Sequence, residues 1–204
     1  MKLNIKRLKA LLAIAVILAA SSCTYYNDFE FSRSVFTEDY DFPGLPIYSE
    51  LGYNTFGMYI DRKVFSSTDS AYPIKIIVNG DTCKFSLNGW YSGGPATLGI
   101  ALIGFSPEDY PDLIQLNDSI INLDDPNCIL TFTQNGHTTV AKKLDVIQGS
   151  LHIKQAKKLY IDTEFTRVIL SGTIALKTFL FDDPVAFTNG RFDLGVGYEN
   201  FYNY

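Results

Sequence analysis

The chain has 204 residues, 47% of them apolar, and its 22 acidic residues outnumber its 17 Lys and Arg to give a formal charge of −5. This is enough material for one domain with a substantial core. An acidic chain has no electrostatic attraction for phosphate backbones or anionic headgroups, which sets nucleic acid aside as a partner.

The N-terminus carries Lys2, Lys6, Arg7 and Lys9, then the apolar run Leu11 to Ala20, then Ser21, Ser22 and Cys23. That run is about half of the ~20 residues a helix needs to cross a bilayer, so residues 1–22 read as an export signal and not as a span. Ala20-Ser21-Ser22-Cys23 resembles the lipobox of bacterial lipoproteins, with Ala20 where leucine is usual. The resemblance implies that Cys23 is acylated and becomes the mature N-terminus. The alternative is ordinary cleavage near Ser22, leaving Cys23 as a thiol. Several acyl chains, each buried methylene adding ~0.8 kcal/mol, make an effectively permanent membrane tether. Loss of 22 of the 204 residues leaves 182, and loss of four basic leader residues takes the charge from −5 to −9.

Residues 23–46 read as the lipidated N-terminus and its tether. The segment from Thr24 to Pro46 is aromatic and acidic without period, and Pro43, Gly44 and Pro46 punctuate its end. It becomes an irregular lead-in that lays Phe36 or Phe42 on the domain, which occupies residues 47–204.

Strands and turns fill that domain. Asn-Gly stands at 79–80, 88–89, 135–136 and 189–190, and it tolerates the positive φ angles of two-residue hairpins. Three of these pairs separate strand candidates: "PIKIIV" from "DTCKFSL", "CILTFT" from "HTTVAKKL", and "PVAFT" from "RFDLGVGY". "TLGIALIG" lacks alternation and reads as a central strand. In "SPEDYPDL", Ser106 caps a helix, Pro107 takes its first position, Asp109 completes a capping box and Pro111 limits it to about one turn. Further on, Leu151 and Ile153 point in while His152 and Lys154 point out. In "TRVILSGTIALKTF", Val168, Leu170, Gly172, Ile174 and Leu176 share one face while Arg167, Ser171, Thr173 and Lys177 share the other. Phe192, Leu194 and Val196 point in, with Arg191 and Asp193 outside. About ten strands with one wet face each predict an all-β fold, an antiparallel two-sheet β-sandwich behind a cleaved lipoprotein signal peptide.

"SGTIAL", a short acidic turn and "VAFTNGRFDLGVGY" together resemble the closing hairpin of a group of Bacteroidota outer-membrane lipoproteins of unknown function. "YNTFGMYIDRKVF" is similar to a strand-turn-strand near the start of their domain. The likeness covers about a third of the chain and rests on Ser171, Gly172, Thr173, Thr188, Asn189, Gly190, Arg191, Phe192 and Asp193. Ile174 stands where the group has an aromatic. The resemblance implies a β-sandwich lipoprotein of the outer membrane, displayed on the cell exterior, and brings no catalytic residues. Acidic residues soon after the lipidated cysteine accompany surface export in these bacteria. Here Asp28 and Glu30 come late, which leaves both membrane faces open.

Candidate site residues are few. Trp90 and Tyr91, in "NGWYSGGP", suit stacking on a sugar or peptide, and Trp90 equally suits core packing under a turn. Cys83 and Cys128 form a disulfide or stand as separate core thiols, and the sequence does not separate the two. His137 and His152 have no zinc-like spacing to the cysteines, so no metal site is expected. Asp124-Asp125-Pro126 and Asp182-Asp183-Pro184 are calcium-ligand types but also ordinary turns. Arg191 and Asp193 pair with each other or brace neighbouring strands. A membrane barrel is set aside because Lys75, Lys84, Lys154 and Lys177 would face lipid. No nucleophile elbow or phosphate loop is present. The expected function is a lipid-anchored, non-enzymatic envelope protein that binds a glycan or a protein without a cofactor. The alternatives are an assembly role in an envelope complex and a hydrolase whose carboxylates the fold assembles.

Overall fold

The computed structural model describes residues 33–67, 72–134, 141–180 and 182–204. The export signal, Cys23, Asn135-Gly136 and His137 lie outside them. Along the chain run β1 (Glu38–Asp39), β2 (Phe42–Pro46), β3 (Thr55–Ile60), β4 (Lys63–Ser66), β5 (Ile74–Asn79), β6 (Thr82–Tyr91) and β7 (Gly94–Ile103). A 3-10 helix (Tyr110–Leu116) follows. Then come β8 (Ser119–Asn122), β9 (Cys128–Gln134), β10 (Lys142–Lys143), β11 (Asp145–Ile161), β12 (Glu164–Leu180), β13 (Asp183–Val196) and β14 (Phe201–Asn203).

The fold is all-β and its ladders are antiparallel, except where β14 runs parallel to β5. Two separate sheets were expected, but twelve strands share one hydrogen-bonded network that curls into a half-barrel. Its order is β10-β9-β7-β6-β4-β3-β13-β12-β11-β8, with β5 on β6 and β14 on β5. The ten-residue β6 is the reason. Thr82 to Leu87 pair with β5, while Trp90 and Tyr91 pair with Ser66 and Phe65 of β4, so one strand carries the ladder from one half to the other. At the opposite side Lys142 and Lys143 pair with β9, and from Asp145 the chain pairs with β12. A single stretch of chain thereby switches partners at Leu144, the kind of bend that makes corners in packed sheets.

The inner faces of the two halves meet. Ile74, Phe85, Leu87 and Ile100 from one half and Leu151, Leu170, Ile174 and Leu194 from the other surround an apolar cavity of only about 30 Å³. Phe65 anchors an edge-on aromatic cluster, with ring centroids 5.0 Å from Phe56 and 5.6 Å from Phe132, and Phe132 reaches Phe187 of β13 at 6.2 Å. Such pairs add ~0.5–1.5 kcal/mol beyond their area burial.

The tight turns use positive φ, as expected, but mostly without Asn-Gly. The two-residue loops are Asp61-Arg62 (φ +45°, +71°), Ser92-Gly93 (+49°, +83°) and Asp162-Thr163 (+48°, +72°). Among the described residues only Asn79-Gly80, of the Asn-Gly pairs, sits at a hairpin, where Asn79 pairs with Thr82. Asn88-Gly89 lies inside β6, where a Cβ on Gly89 would come 2.3 Å from the Ser66 carbonyl oxygen, so this glycine marks the approach of β4 and not a turn. The helix also begins later than expected. Asp109 is its N-cap, with Asp112 completing the capping box, and Pro111 lies in its first turn and does not end it.

The lead-in is part of the fold from Arg33 onward. The β1–β2 hairpin lies against β3, where Tyr59 donates to the Pro43 carbonyl at 2.9 Å. Residues 47–54 then cross the outer face of β12 and β13.

Candidate functional site

Alternation along β12 turns Ile174 and Leu176 into the core and leaves Thr173, Ala175 and Lys177 toward the outside. Register does the rest. On β11, Ser150 stands opposite Ala175 and Gln148 opposite Lys177, while on β13 Arg191 stands opposite Thr173. The small side chains at Ser150 and Ala175 leave the face low between taller neighbours. Two depressions result, of about 570 Å³ and 400 Å³, and Ser150 and Ala175 line both. Together they form an open groove whose lining mixes polar and apolar side chains.

Its two ends differ. Tyr48, from the segment crossing the sheet, closes one end with Lys154, whose Nζ lies 4.9 Å from the Tyr48 ring centroid. Burial, and the hydrogen bond Tyr48 donates to Glu50 at 2.9 Å, push the Tyr48 phenol up to about 12. At the other end Lys177 and Gln148 face Asn122 and Asp124, on and just after β8. Among the described residues Lys154 and Lys177 make no ion pair.

The groove's floor is broken by a bulge. Asn189-Gly190, read as a hairpin turn, sits within the single strand β13, where pairing with β3 passes from Thr188 to Arg191. Asn189 has φ +53°, and a Cβ on Gly190 would lie 2.3 Å from the Ile174 carbonyl oxygen. Both residues thereby line the groove.

Arg191 and Asp193 do not pair with each other. Arg191 forms an ion pair with Asp39 and stacks over Phe42 at 4.4 Å, fastening the lead-in hairpin to β13. Asp193 is 1% exposed and accepts the backbone amides of Leu51, Gly52 and Tyr53 at 3.2, 2.8 and 3.0 Å. Each braces the sheet against the chain before β3, Arg191 through the β1–β2 hairpin and Asp193 through the loop at 51–53, partners that strand patterns do not reveal.

Alternation separates the two aromatic candidates. Trp90 is 48% exposed, while Tyr91 is 8% exposed and packs edge-on against Phe65 and Phe132. Tyr91 therefore packs in the core, and neither residue lines the groove. Cys83 and Cys128 are free thiols. Both stand opposite Leu102, one on each side of β7, so about two interstrand spacings of ~4.8 Å separate them. That exceeds the ~7 Å Cα limit for a disulfide. Burial pushes Cys83 up to about 12 and Cys128 to about 11.

His152 Nε2 lies 3.5 Å from Asp118, and among the described residues no three His, Cys, Asp or Glu side chains group as metal ligands. Asp125 shapes its turn by accepting the Asn127 amide at 2.8 Å. Asp182, with φ +70°, belongs to the turn between β12 and β13.

Sequence reasoning missed Tyr48, Gln148 and Ser150 as site residues. Thr173, Lys177 and Lys154 were placed on the wet face, but only register shows that they converge. The chain matches no family model, no curated protein and no solved structure at a significant level.

Proposed function

We propose that this protein is a lipid-anchored, non-enzymatic component of the bacterial envelope that binds an oligosaccharide in the groove over β11, β12 and β13. In this reading Cys23 carries the acyl chains, the two halves of the curled sheet act as the layers of a sandwich, and the body serves as a rigid platform. The observation that carries it is the groove itself, an open trough of mixed lining in which, beside apolar surface such as Ala175 and Leu176, amide and hydroxyl groups come from Gln148, Ser150, Thr173 and Asn189. Such side chains both donate and accept, which suits vicinal sugar hydroxyls. Among the described residues the lining contains one carboxylate, Asp124, where paired-carboxylate glycoside hydrolysis uses two, and this favours capture over cleavage.

The test is a glycan array on the purified protein beside Ala175→Trp, a substitution at an exposed position where the two depressions meet. Binding by the parent, lost in a variant that unfolds at the same temperature, is the expected result. Binding untouched by Ala175→Trp removes the groove from the reading, and a folded parent that binds no glycan removes the function. The exposure of Trp90 supports a second contact surface, which loss of binding in Trp90→Ala alone would select. For the anchor, Cys23→Ser is expected to leave the membrane fraction and to take up no labelled palmitate.

A further inference from the structure

This inference rests on the oligosaccharide-binding reading and names the ligand class. We propose that the groove takes an acidic oligosaccharide, a linear chain bearing uronate or sulfate groups, and that Lys154 and Lys177 receive its charges. The chain as a whole is acidic, at −5, yet this trough carries two lysines that form no ion pair among the described residues. Arg191, the third cation on its lining, is already neutralised by Asp39. Lys154 keeps its contact with the Tyr48 ring, but among the described residues neither lysine has an anionic partner, which suits anionic groups on the ligand.

Spacing sets the ligand's length. Lys177 stands opposite Gln148, and Lys154 lies six residues farther along β11, which at ~3.3 Å per residue separates the two positions by about 20 Å. One monosaccharide does not span that distance, whereas an oligomer with repeated charges does. Because the separation exceeds the ~8 Å screening length of physiological salt, the lysines act independently. An acidic peptide fits less well. From Ser150 to Ile153 β11 is paired with β12 on one side and β8 on the other, so over that stretch a peptide backbone finds no open ladder. Asp124 at the Lys177 end disfavours a further negative group beyond that lysine.

The experiment is calorimetric titration of the full-length protein in detergent micelles with oligogalacturonate, a neutral cello-oligosaccharide of equal length, and oligoglutamate. Oligogalacturonate is expected to bind, and to bind more weakly as salt rises. Lys154→Ala and Lys177→Ala are each expected to weaken it about fivefold, and the double variant about twenty-fivefold, since independent sites add in free energy. Lys154→Arg should restore most of the loss at that position. Equal binding of the neutral sugar, with no effect of salt or of either lysine variant, overturns the acidic ligand and leaves the glycan reading standing. Preference for oligoglutamate assigns the groove to a protein partner and overturns the inference. Binding of none by a folded protein overturns both readings.

Discussion

Asp193→Ala removes an acceptor that three backbone amides share. Oδ1 takes the Gly52 amide at 2.8 Å, and Oδ2 takes those of Tyr53 at 3.0 Å and Leu51 at 3.2 Å. The Leu51 amide also reaches Ser49 Oγ at 3.1 Å and keeps that bond, so two donors are left without a partner. Both donors are part-buried, and leaving a donor unpaired costs up to ~1–3 kcal/mol. Relief of the carboxylate's own desolvation offsets part of this, leaving a net loss of about 3 kcal/mol. With a urea dependence of ~2 kcal/mol per molar, the unfolding midpoint followed by far-ultraviolet circular dichroism should fall by about 1.5 M. Asp193→Asn keeps the shape and one carbonyl oxygen and should lose about half as much. An alanine variant whose midpoint stays within about 0.3 M of the parent refutes the reasoning, since water must then satisfy those amides.

Two further predictions concern ionisation. Burial holds Cys83 and Cys128 as neutral thiols far above neutral pH, so native Cys23→Ser protein at pH 8 should incorporate no iodoacetamide, and two equivalents once unfolded; rapid native labelling of either would contradict the packing. Burial of Tyr48 and its bond to Glu50 raise the phenol from 10.0 to about 12. The fold therefore favours the protonated form, and its stabilisation is complete below pH 10 and lost as pH rises toward 12. The urea-midpoint difference between parent and Tyr48→Phe should shrink over that interval, and a difference independent of pH would place Tyr48 in solvent.

The inner faces were legible because side-chain period is a local property. Val168, Leu170, Ile174 and Leu176, like Leu151 and Ile153, are all buried as their alternation requires. Outer faces were not, because what covers them comes from far along the chain. Ser171 and Asp193 alternate as wet residues yet are buried, since residues 47–54 lie over them. The single curled sheet was hidden for a related reason: pairing of β6 with both β5 and β4 depends on its length and bend, which composition does not report. Asn-Gly was a poor locator of turns because Asp, Ser and Thr also adopt positive φ where a hairpin demands it. Asn200 left no signal at all. It is 1% exposed, accepts the Gly197 amide and donates to Gly195 and Ile74 carbonyls, tying β13 to β5 through contacts that no periodicity encodes. The groove required register between strands that begin nearly twenty residues apart, and sequence alone carries no such ruler.

Two fastenings, the ion pair between Asp39 and Arg191 and the amides of residues 51–53 on Asp193, both end on β13, two residues apart. Load on the lead-in therefore reaches β13, an interior strand with ladders on both sides, as well as β3 through the hydrogen bond from Tyr59 to Pro43, and several hydrogen bonds must slide at once. That is the stiff direction for a sheet. The same strand lines the groove at Asn189, Gly190 and Arg191, so load on the lead-in and load on the groove share β13.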